Sequence, residues 1–303
     1  MPAWNNLLVE VNSVETPHDR VRRKYLKEIS EHTGRNTIIY YSGWMQKAVL
    51  ENDPNFKLGI SDEDKNGFMA TIHKLDRTKG LDLFLHTPGG DMAATESIVR
   101  YLRSMFDTNI RAIIPQQAMS GGTIMALSCK SIILGKGSSI GPIDPQQGGM
   151  ALNGILEEFE QIKAEIAANP ASALVWHHVL TKLPPGFITE CMNVIKWSTE
   201  MAVEFLNTNM LFNSSDDEVR GAVEKLTAKS NVKTHMRQIA LKEAQEIFGK
   251  NNIIPLEENQ QFQDLVLSIH HATMITLQQT AAYKLIENQN GAAHILMSQA
   301  APR

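Results

Sequence analysis

Ser120 stands in the stretch Ala118-Met119-Ser120-Gly121-Gly122-Thr123, where small residues surround a serine hydroxyl. The apolar, β-rich run Ile110–Pro115 precedes this stretch, and the residues after it favour a helix. A serine at a sharp strand-to-helix turn is the setting of a nucleophilic serine, because small neighbours let a substrate carbonyl approach. The free N–H groups at the helix start point to the place where an oxyanion forms. The pattern therefore predicts acyl-transfer chemistry with Ser120 as the nucleophile.

A second glycine-rich turn lies about thirty residues upstream, in His86-Thr87-Pro88-Gly89-Gly90-Asp91. It follows a predicted strand over residues 81–85 and opens a predicted helix over residues 91–106. Two such turns can face each other across a cleft, so that one supplies the nucleophile and the other supplies backbone donors. We expect the Gly121 N–H and either the Gly89 or the Gly90 N–H to bind the oxyanion. The alternative is that these glycines serve only tight turns.

The two turns, followed by Gly137-Ser138-Ser139-Ile140-Gly141-Pro142, resemble the motifs of the Clp-fold serine peptidases. That group includes the Clp protease proteolytic subunit and signal peptide peptidase A. Three motifs are similar to those of the serine dehydrogenase proteinase family: His-Thr-Pro-Gly-Gly, Ala-Met-Ser-Gly-Gly-Thr and Gly-Pro-Ile-Asp-Pro-Gln. The resemblance covers residues 36–146 most closely and continues more weakly to about residue 250. It implies a spiral of strand-strand-helix units, peptidase activity and assembly into oligomers.

The motifs that carry this resemblance do not identify the general base. The Clp proteolytic subunit uses a histidine soon after its serine, but residues 141–145 hold none. Signal peptide peptidase A uses a lysine farther along, which makes Lys163 the first candidate and Lys196 a second; the alternative for Lys163 is a solvated surface charge. His235 stands where the fold resembles the region of the third triad member, with a capping or core role as its alternative. We expect a Ser-Lys dyad, with His235 as the rival base.

Strands and helices alternate from residue 80 onward with short links. This order predicts parallel strand pairing, and the apolar strands indicate that both faces of the sheet are covered. The remainder, residues 151–303, is predicted to be nearly all helical, with amphipathic helices at 151–168 and 189–212. The predicted fold class is α/β, a Clp/crotonase-like spiral of strand-strand-helix units with a helical C-terminal extension.

Three parts are predicted along the chain. Residues 1–35 form an N-terminal helical arm, residues 36–250 a Clp-like serine peptidase domain, and residues 251–303 a C-terminal helical extension. The arm is expected to hold an amphipathic helix that covers the sheet; the alternative is a basic arm that docks on a neighbouring subunit.

The composition is that of a soluble globular protein, with 303 residues, 43% hydrophobic and 20% charged. A formal net charge of −4 does not indicate the basic surface with which a protein binds nucleic acid or an anionic membrane. Two cysteines, Cys129 and Cys191, do not make a disulfide framework, which indicates a reducing compartment. The sequence shows no apolar run long enough to span a bilayer and no signal-peptide pattern. We therefore expect a cytoplasmic protein without a membrane segment.

Neither a metal nor a cofactor is predicted. The pairs His177-His178 and His270-His271 lack the ligand spacing of a zinc site, and no nucleotide-binding glycine motif is present. The predicted function is a serine peptidase that acts on a peptide or protein substrate and forms a homo-oligomer. Two alternatives are a catalytically inactive Clp-fold scaffold and an α/β-hydrolase-type esterase.

Overall fold

A computed structural model describes residues 17–147, 149–227 and 237–298 of the chain. The elements in chain order are α1 (Pro17–Thr33), β1 (Asn36–Ser42), α2 (Asp62–Ile72), β2 (Leu81–His86), α3 (Met92–Phe106), β3 (Ile110–Ile114), β4 (Gln117–Ala118), α4 (Gly121–Leu127), β5 (Ser131–Leu134), β6 (Ser139–Ile140), β7 (Gln146–Gln147), β8 (Met150–Ala151), α5 (Leu152–Ala168), α6 (Ala173–Leu180), α7 (Phe187–Asn207), α8 (Asp216–Glu224), β9 (Ile239–Ala240), α9 (Leu241–Phe248), β10 (Ile253–Pro255), α10 (Gln260–Gln279), β11 (Ala282–Asn288) and β12 (Ala293–Met297).

The central sheet is mixed and has seven strands in the order β10-β5-β3-β2-β1-β11-β12. The five strands from β10 to β1 are parallel, as the alternation of elements predicts, whereas β11 pairs antiparallel with both β1 and β12. A smaller sheet, β4-β6-β9, stands beside it. The ends of β2 and β4 therefore place both glycine-rich turns at the carboxyl edge of the parallel strands, where α/β proteins bind ligands.

Both faces of the central sheet are buried, because successive residues of each strand point to opposite sides. On one face, Ile38 and Leu83 share an apolar cluster with α2, α3 and α4. On the other face, Ile39 and Phe84 pack with α1 and α10. The helix α1 covers the sheet as predicted, and its Leu26 is fully buried there. The architecture is thus a mixed α/β fold with helices on both sides of one sheet.

The expectation of an all-helical stretch over residues 251–303 is wrong. The helix α10 lies there, but so do β10, β11 and β12, and β11 lies inside the central sheet beside β1. The pattern of β11 concealed this, because Lys284 and Glu287 are charged residues that the fold buries with partners. Across the described ranges, no helix is long and apolar enough to cross a membrane.

Candidate active site

Ser120 lies in a strained turn between β4 and α4. Its backbone angles are φ 49° and ψ −115°, a left-handed conformation that residues with a Cβ rarely adopt. The chain is fixed on both sides, since Met119 N donates to Thr87 O at 3.0 Å and Gly122 N donates to Met119 O at 2.8 Å. The side chain is half-buried. Such a turn presents a serine hydroxyl at the end of a sheet, as the small neighbours of Ser120 predict.

The turn at Gly89 and Gly90 touches the turn at Ser120, as the sequence predicts for facing loops. A Cβ added to Gly89 would lie 2.6 Å from Ser120 Cβ and 3.1 Å from Gly121 N. A Cβ on Gly121 would lie 2.6 Å from Thr95 Oγ1 in α3. Any larger residue at these positions would therefore push the two turns apart.

Of the two candidate donors in the first turn, Gly90 is the better placed. Ile60 N donates to Gly89 O at 2.7 Å, and Asp91 N donates to Ile60 O at 2.9 Å. This parallel pairing turns the peptide groups of Gly90 to the opposite edge. The Gly89 N–H already donates to Thr87 Oγ1 at 3.2 Å.

The N–H of Gly90 lies close to the nucleophile turn. Its nitrogen is 3.6 Å from the position that a Cβ on Gly121 would take. Over the described ranges, neither Gly90 N nor Gly121 N has a protein acceptor. Two unpaired backbone donors beside a serine can bind an oxyanion that forms on an attacked carbonyl.

The third motif lies against the nucleophile turn through Gly141. Gly141 N donates to Ala118 O at 3.2 Å, and Thr123 Oγ1 donates to Gly141 O at 3.0 Å. A Cβ on Gly141 would lie 2.6 Å from Met119 Cε. Three residues later Asp144 is buried. The motif therefore packs directly against the nucleophile turn.

The two candidate lysines lie on exposed helix surfaces. Lys163 in α5 is 58% exposed and its Nζ lies 2.9 Å from Glu160 Oε2. Lys196 in α7 is 73% exposed and its Nζ lies 3.8 Å from Glu200 Oε1. A lysine that accepts a proton at neutral pH needs burial away from carboxylates, and this environment is the reverse.

His235 lies outside the described residues. Within the described ranges, no side chain is hydrogen-bonded to Ser120 Oγ. The serine and the two backbone donors are brought together by β2, β4 and α4, but Lys163 and Lys196 do not join them.

A buried histidine pair lies behind the first turn and was missed as such in the sequence. His86 ends β2, and its ring lies 5.5 Å from that of His270 and 4.3 Å from Trp44, measured between ring centroids. Burial lowers the pKa of His86 to about 3, and burial lowers the pKa of His270 as well. Tyr41 Oη lies 3.1 Å from His270 Nδ1. These rings are neutral near pH 7 and pack against one another in the interior.

Ile60 is the other site residue that the sequence did not reveal. It stands in a polar loop, and only the cap at Ser61 that starts α2 gave a local signal. No pattern in that loop indicates pairing with Gly90. In the parts of the chain that the structure describes, no group of three or more His, Cys, Asp and Glu side chains is arranged to hold a metal ion.

Comparison with known proteins gives a family match over the same motifs. The family model described as ClpP-like SDH-type serine proteinase matches residues 7–181. The chain is similar to uncharacterized protein MJ0137 of Methanocaldococcus jannaschii, with 34% identity over 147 residues, which cover 48% of this chain and 50% of the relative. It is also similar to uncharacterized protein MJ1495 of the same organism, with 32% identity over 138 residues, 46% of each chain. The chain thus spans about half the length of the curated relatives it matches.

Proposed function

The chain belongs to the ClpP-like SDH-type serine proteinase family, and we propose that it is a serine peptidase whose nucleophile is Ser120. In the proposed reaction Ser120 Oγ attacks the carbonyl carbon of a peptide bond and its proton passes to a general base. The carbonyl oxygen becomes an oxyanion that accepts hydrogen bonds from Gly90 N–H and Gly121 N–H. The C–N bond then breaks, the amine leaves with a proton, and water hydrolyses the acyl-enzyme. This chemistry needs no metal or organic cofactor.

The observation that carries the proposal is the strained backbone of Ser120 opposite two unpaired donors. A φ of 49° costs free energy at a residue with a Cβ, and a serine without a catalytic role would not need this conformation. The proposed donors, Gly90 N–H and Gly121 N–H, belong to the two turns that touch at Ser120. Loss of one such donor costs about 10²–10³ in rate in serine peptidases.

We propose His235 ahead of Lys163 and Lys196 as the base. The two lysines are exposed and ion-paired with Glu160 and Glu200, whereas a general base has to lie within hydrogen-bond reach of the serine hydroxyl. A Ser-Lys dyad, with Lys163 first, is the alternative. That dyad would require another structural element to cover the lysine and remove it from solvent.

The support for His235 comes from the described residues on either side of it. The chain enters this segment from Leu226, whose O accepts from Ile143 N at 3.0 Å, and leaves it at Ile239 in β9. The strand β9 pairs with β6, and β6 pairs with β4, which ends just before Ser120. Adjacent strands lie about 4.8 Å apart, so both ends of the segment are anchored near the nucleophile.

A groove of about 610 Å³ beside the first turn supports a peptide as the substrate. Trp44, Phe56, Ile60, Pro88 and Asp91 line it. An extended peptide bound there would place apolar side chains against the rings of Trp44 and Phe56. We also propose the Clp/crotonase-type spiral for the fold, with a part boundary near residue 35; the strands after residue 250 belong to the same central sheet as the strands before it.

We propose a homo-oligomer in the cytoplasm as the working form. Helices α6 and α7 expose Leu174, Val175 and Met192, which a partner copy would cover. The two cysteines, Cys129 and Cys191, are free and buried, which fits a reducing compartment. Nucleic acid is not a proposed partner, given the net charge of −4.

A fluorophosphonate probe tests the proposal and separates it from its two rivals. An active serine peptidase labels at Ser120 and cleaves both a small ester and a peptide. An inactive scaffold does not label, and an esterase labels and turns over the ester alone. Heat-unfolded protein is the control for nonspecific labelling, and absence of label on the folded protein contradicts the proposal.

A further inference from the structure

An ion pair buried beneath the first turn, Lys284 with Asp64, is not part of the proposed chemistry. Lys284 in β11 is 1% exposed and Asp64 in α2 is fully buried. The Lys284 Nζ lies 2.9 Å from Asp64 Oδ1 and 3.0 Å from Asp64 Oδ2. Two buried charges cost desolvation free energy, and a well-packed apolar pair is often as stable. The pair therefore calls for a role beyond stability.

The third hydrogen bond of the ammonium shows where the pair acts. Lys284 Nζ donates to Gly59 O at 2.7 Å. Two residues after Gly59, Ser61 N donates to Asp64 Oδ2 at 2.9 Å. The Tyr40 hydroxyl donates to the same carboxylate oxygen at 2.8 Å. The pair thus fixes the backbone directly before and directly after Ile60.

Ile60 transmits this constraint to the turn that holds the proposed oxyanion donor. Its N and O bond to Gly89 O and Asp91 N, as described above. The contact is tight, because a Cβ on Gly90 would lie 2.1 Å from Ile60 N, and one on Gly59 would lie 2.9 Å from Gly89 O. A shift of residues 59–61 must therefore move the turn.

We infer that Lys284 and Asp64 are positioning residues, which hold residues 59–61 so that the Gly90 N–H faces the carbonyl attacked by Ser120. The role of the turn as an oxyanion donor rests on the proposed function. The direction of the effect follows from geometry, since a displacement of about 1 Å at a catalytic group can cost about 10² in rate. Burial lowers the pKa of Lys284, and the neighbouring Asp64 acts on it in the opposite direction.

The test compares the double variant Lys284→Met/Asp64→Asn with the control Arg22→Met. The double variant leaves no unpaired charge in the interior, so folding is expected. Arg22 is also a buried cation bonded to β11, through Glu287, but it lies on α1 on the other face of the sheet. The variant Lys284→Gln/Asp64→Asn, whose glutamine amide can still donate to Gly59 O, also leaves no unpaired charge; it is the conservative companion and the fallback if Lys284→Met/Asp64→Asn does not fold.

Two measurements decide the inference. In steady-state peptide hydrolysis, we expect Lys284→Met/Asp64→Asn to lose about 10² in kcat with KM changed less than about threefold, and Lys284→Gln/Asp64→Asn to lose less. In hydrogen–deuterium exchange by mass spectrometry, peptides that contain residues 58–61 and 88–92 should exchange at least about tenfold faster than in the parent. The control Arg22→Met should lose stability without either effect.

The outcomes separate this inference from the proposed function. Unchanged exchange over residues 88–92, or a kcat loss equal to that of Arg22→Met, overturns the positioning role even if the parent is an active peptidase. Faster exchange in the Lys284 variants supports the positioning role even if the parent does not hydrolyse peptides. In that case the failure lies with the proposed function.

Discussion

The backbone of Ile60 pairs in parallel with that of Gly90, through bonds of 2.7 Å to Gly89 O and 2.9 Å from Asp91 N. This pairing occupies one edge of the turn and leaves the peptide N–H of Gly90 on the other edge, toward Ser120 and Gly121. A loop that carries no catalytic side chain thus determines which glycine of the Gly89-Gly90 pair can serve as a donor.

Ser120→Gly should be more stable than Ser120→Ala, and both should be inactive. Alanine keeps the Cβ that makes φ 49° costly, whereas glycine adopts this conformation freely. We expect a difference of about 1 kcal/mol in the free energy of unfolding, measured by urea denaturation. If Ser120→Gly is instead the less stable variant, as glycine is in regular structure, the backbone of Ser120 is not strained.

Single variants identify the base. We expect His235→Ala to lose hydrolysis of a small acyl ester, and Lys163→Ala and Lys196→Ala to keep it, because both lysines are exposed and ion-paired. The parent's hydrolysis rate should then rise with pH, with a midpoint at about 6.5, where an ordinary histidine loses its proton. An inactive Lys163→Ala beside an active His235→Ala would instead establish the Ser-Lys dyad.

Acid should destabilise the protein through His86. Its pKa is lowered to about 3 in the folded state by burial, while in the unfolded chain it is near the ordinary value of 6.5. Between these values the unfolded chain binds more protons, so this contribution is complete above pH 6.5 and is lost as the pH falls toward 3. The loss is about 1.4 kcal/mol per pH unit for one histidine.

His86→Phe tests this dependence because it retains a ring against Tyr41 and Trp44. Urea denaturation at pH 7, 6 and 5 should show a smaller acid-induced loss of unfolding free energy in the variant than in the parent. His270 stays in place in both proteins and keeps the burial that is the main cause of its lowered pKa, while the smaller effect of His86 on that pKa is removed with the ring. Parallel curves for the two proteins would contradict the effect of burial on His86.

A homo-oligomer is expected in dilute buffer, held in part by the exposed apolar face of α6. Leu174 is 83% exposed and Val175 is 70% exposed. Leu174→Glu/Val175→Glu should shift the mass measured by light scattering toward one chain. Val49→Glu is the matched control, since Val49 is 90% exposed and lies outside α6, in the short 3-10 helix Ala48–Leu50. A parent that already has the mass of one chain at micromolar concentration contradicts the expectation.

The parallel half of the fold could be predicted from sequence because its signals are local. Apolar strands such as Leu81–His86 alternate with helices at short spacing, and this order restricts the pairing. The strand β11 could not be predicted in this way. Its Lys284 and Glu287 are buried through partners more than two hundred residues away, Asp64 and Arg22, so that no local pattern marks it as an interior strand.

The nucleophile turn was also within reach of sequence, since Ser120 and its glycines are contiguous. The choice between Gly89 and Gly90 was not, because it depends on Ile60, which the sequence places in an unpatterned polar loop. The exposure of Lys163 and Lys196 depends on which helix faces pack, and spacing from Ser120 carries no information on that.

Hydrolysis of a peptide or casein substrate by the parent and by Ser120→Ala tests the central claim most directly. Both proteins should share the same oligomeric mass and circular dichroism, because residue 120 is half-buried in a turn and not in the core. The account predicts a loss of about 10⁶ in turnover, typical for removal of a serine nucleophile. Retention of a tenth or more of the parent's activity in Ser120→Ala would show that Ser120 is not the nucleophile.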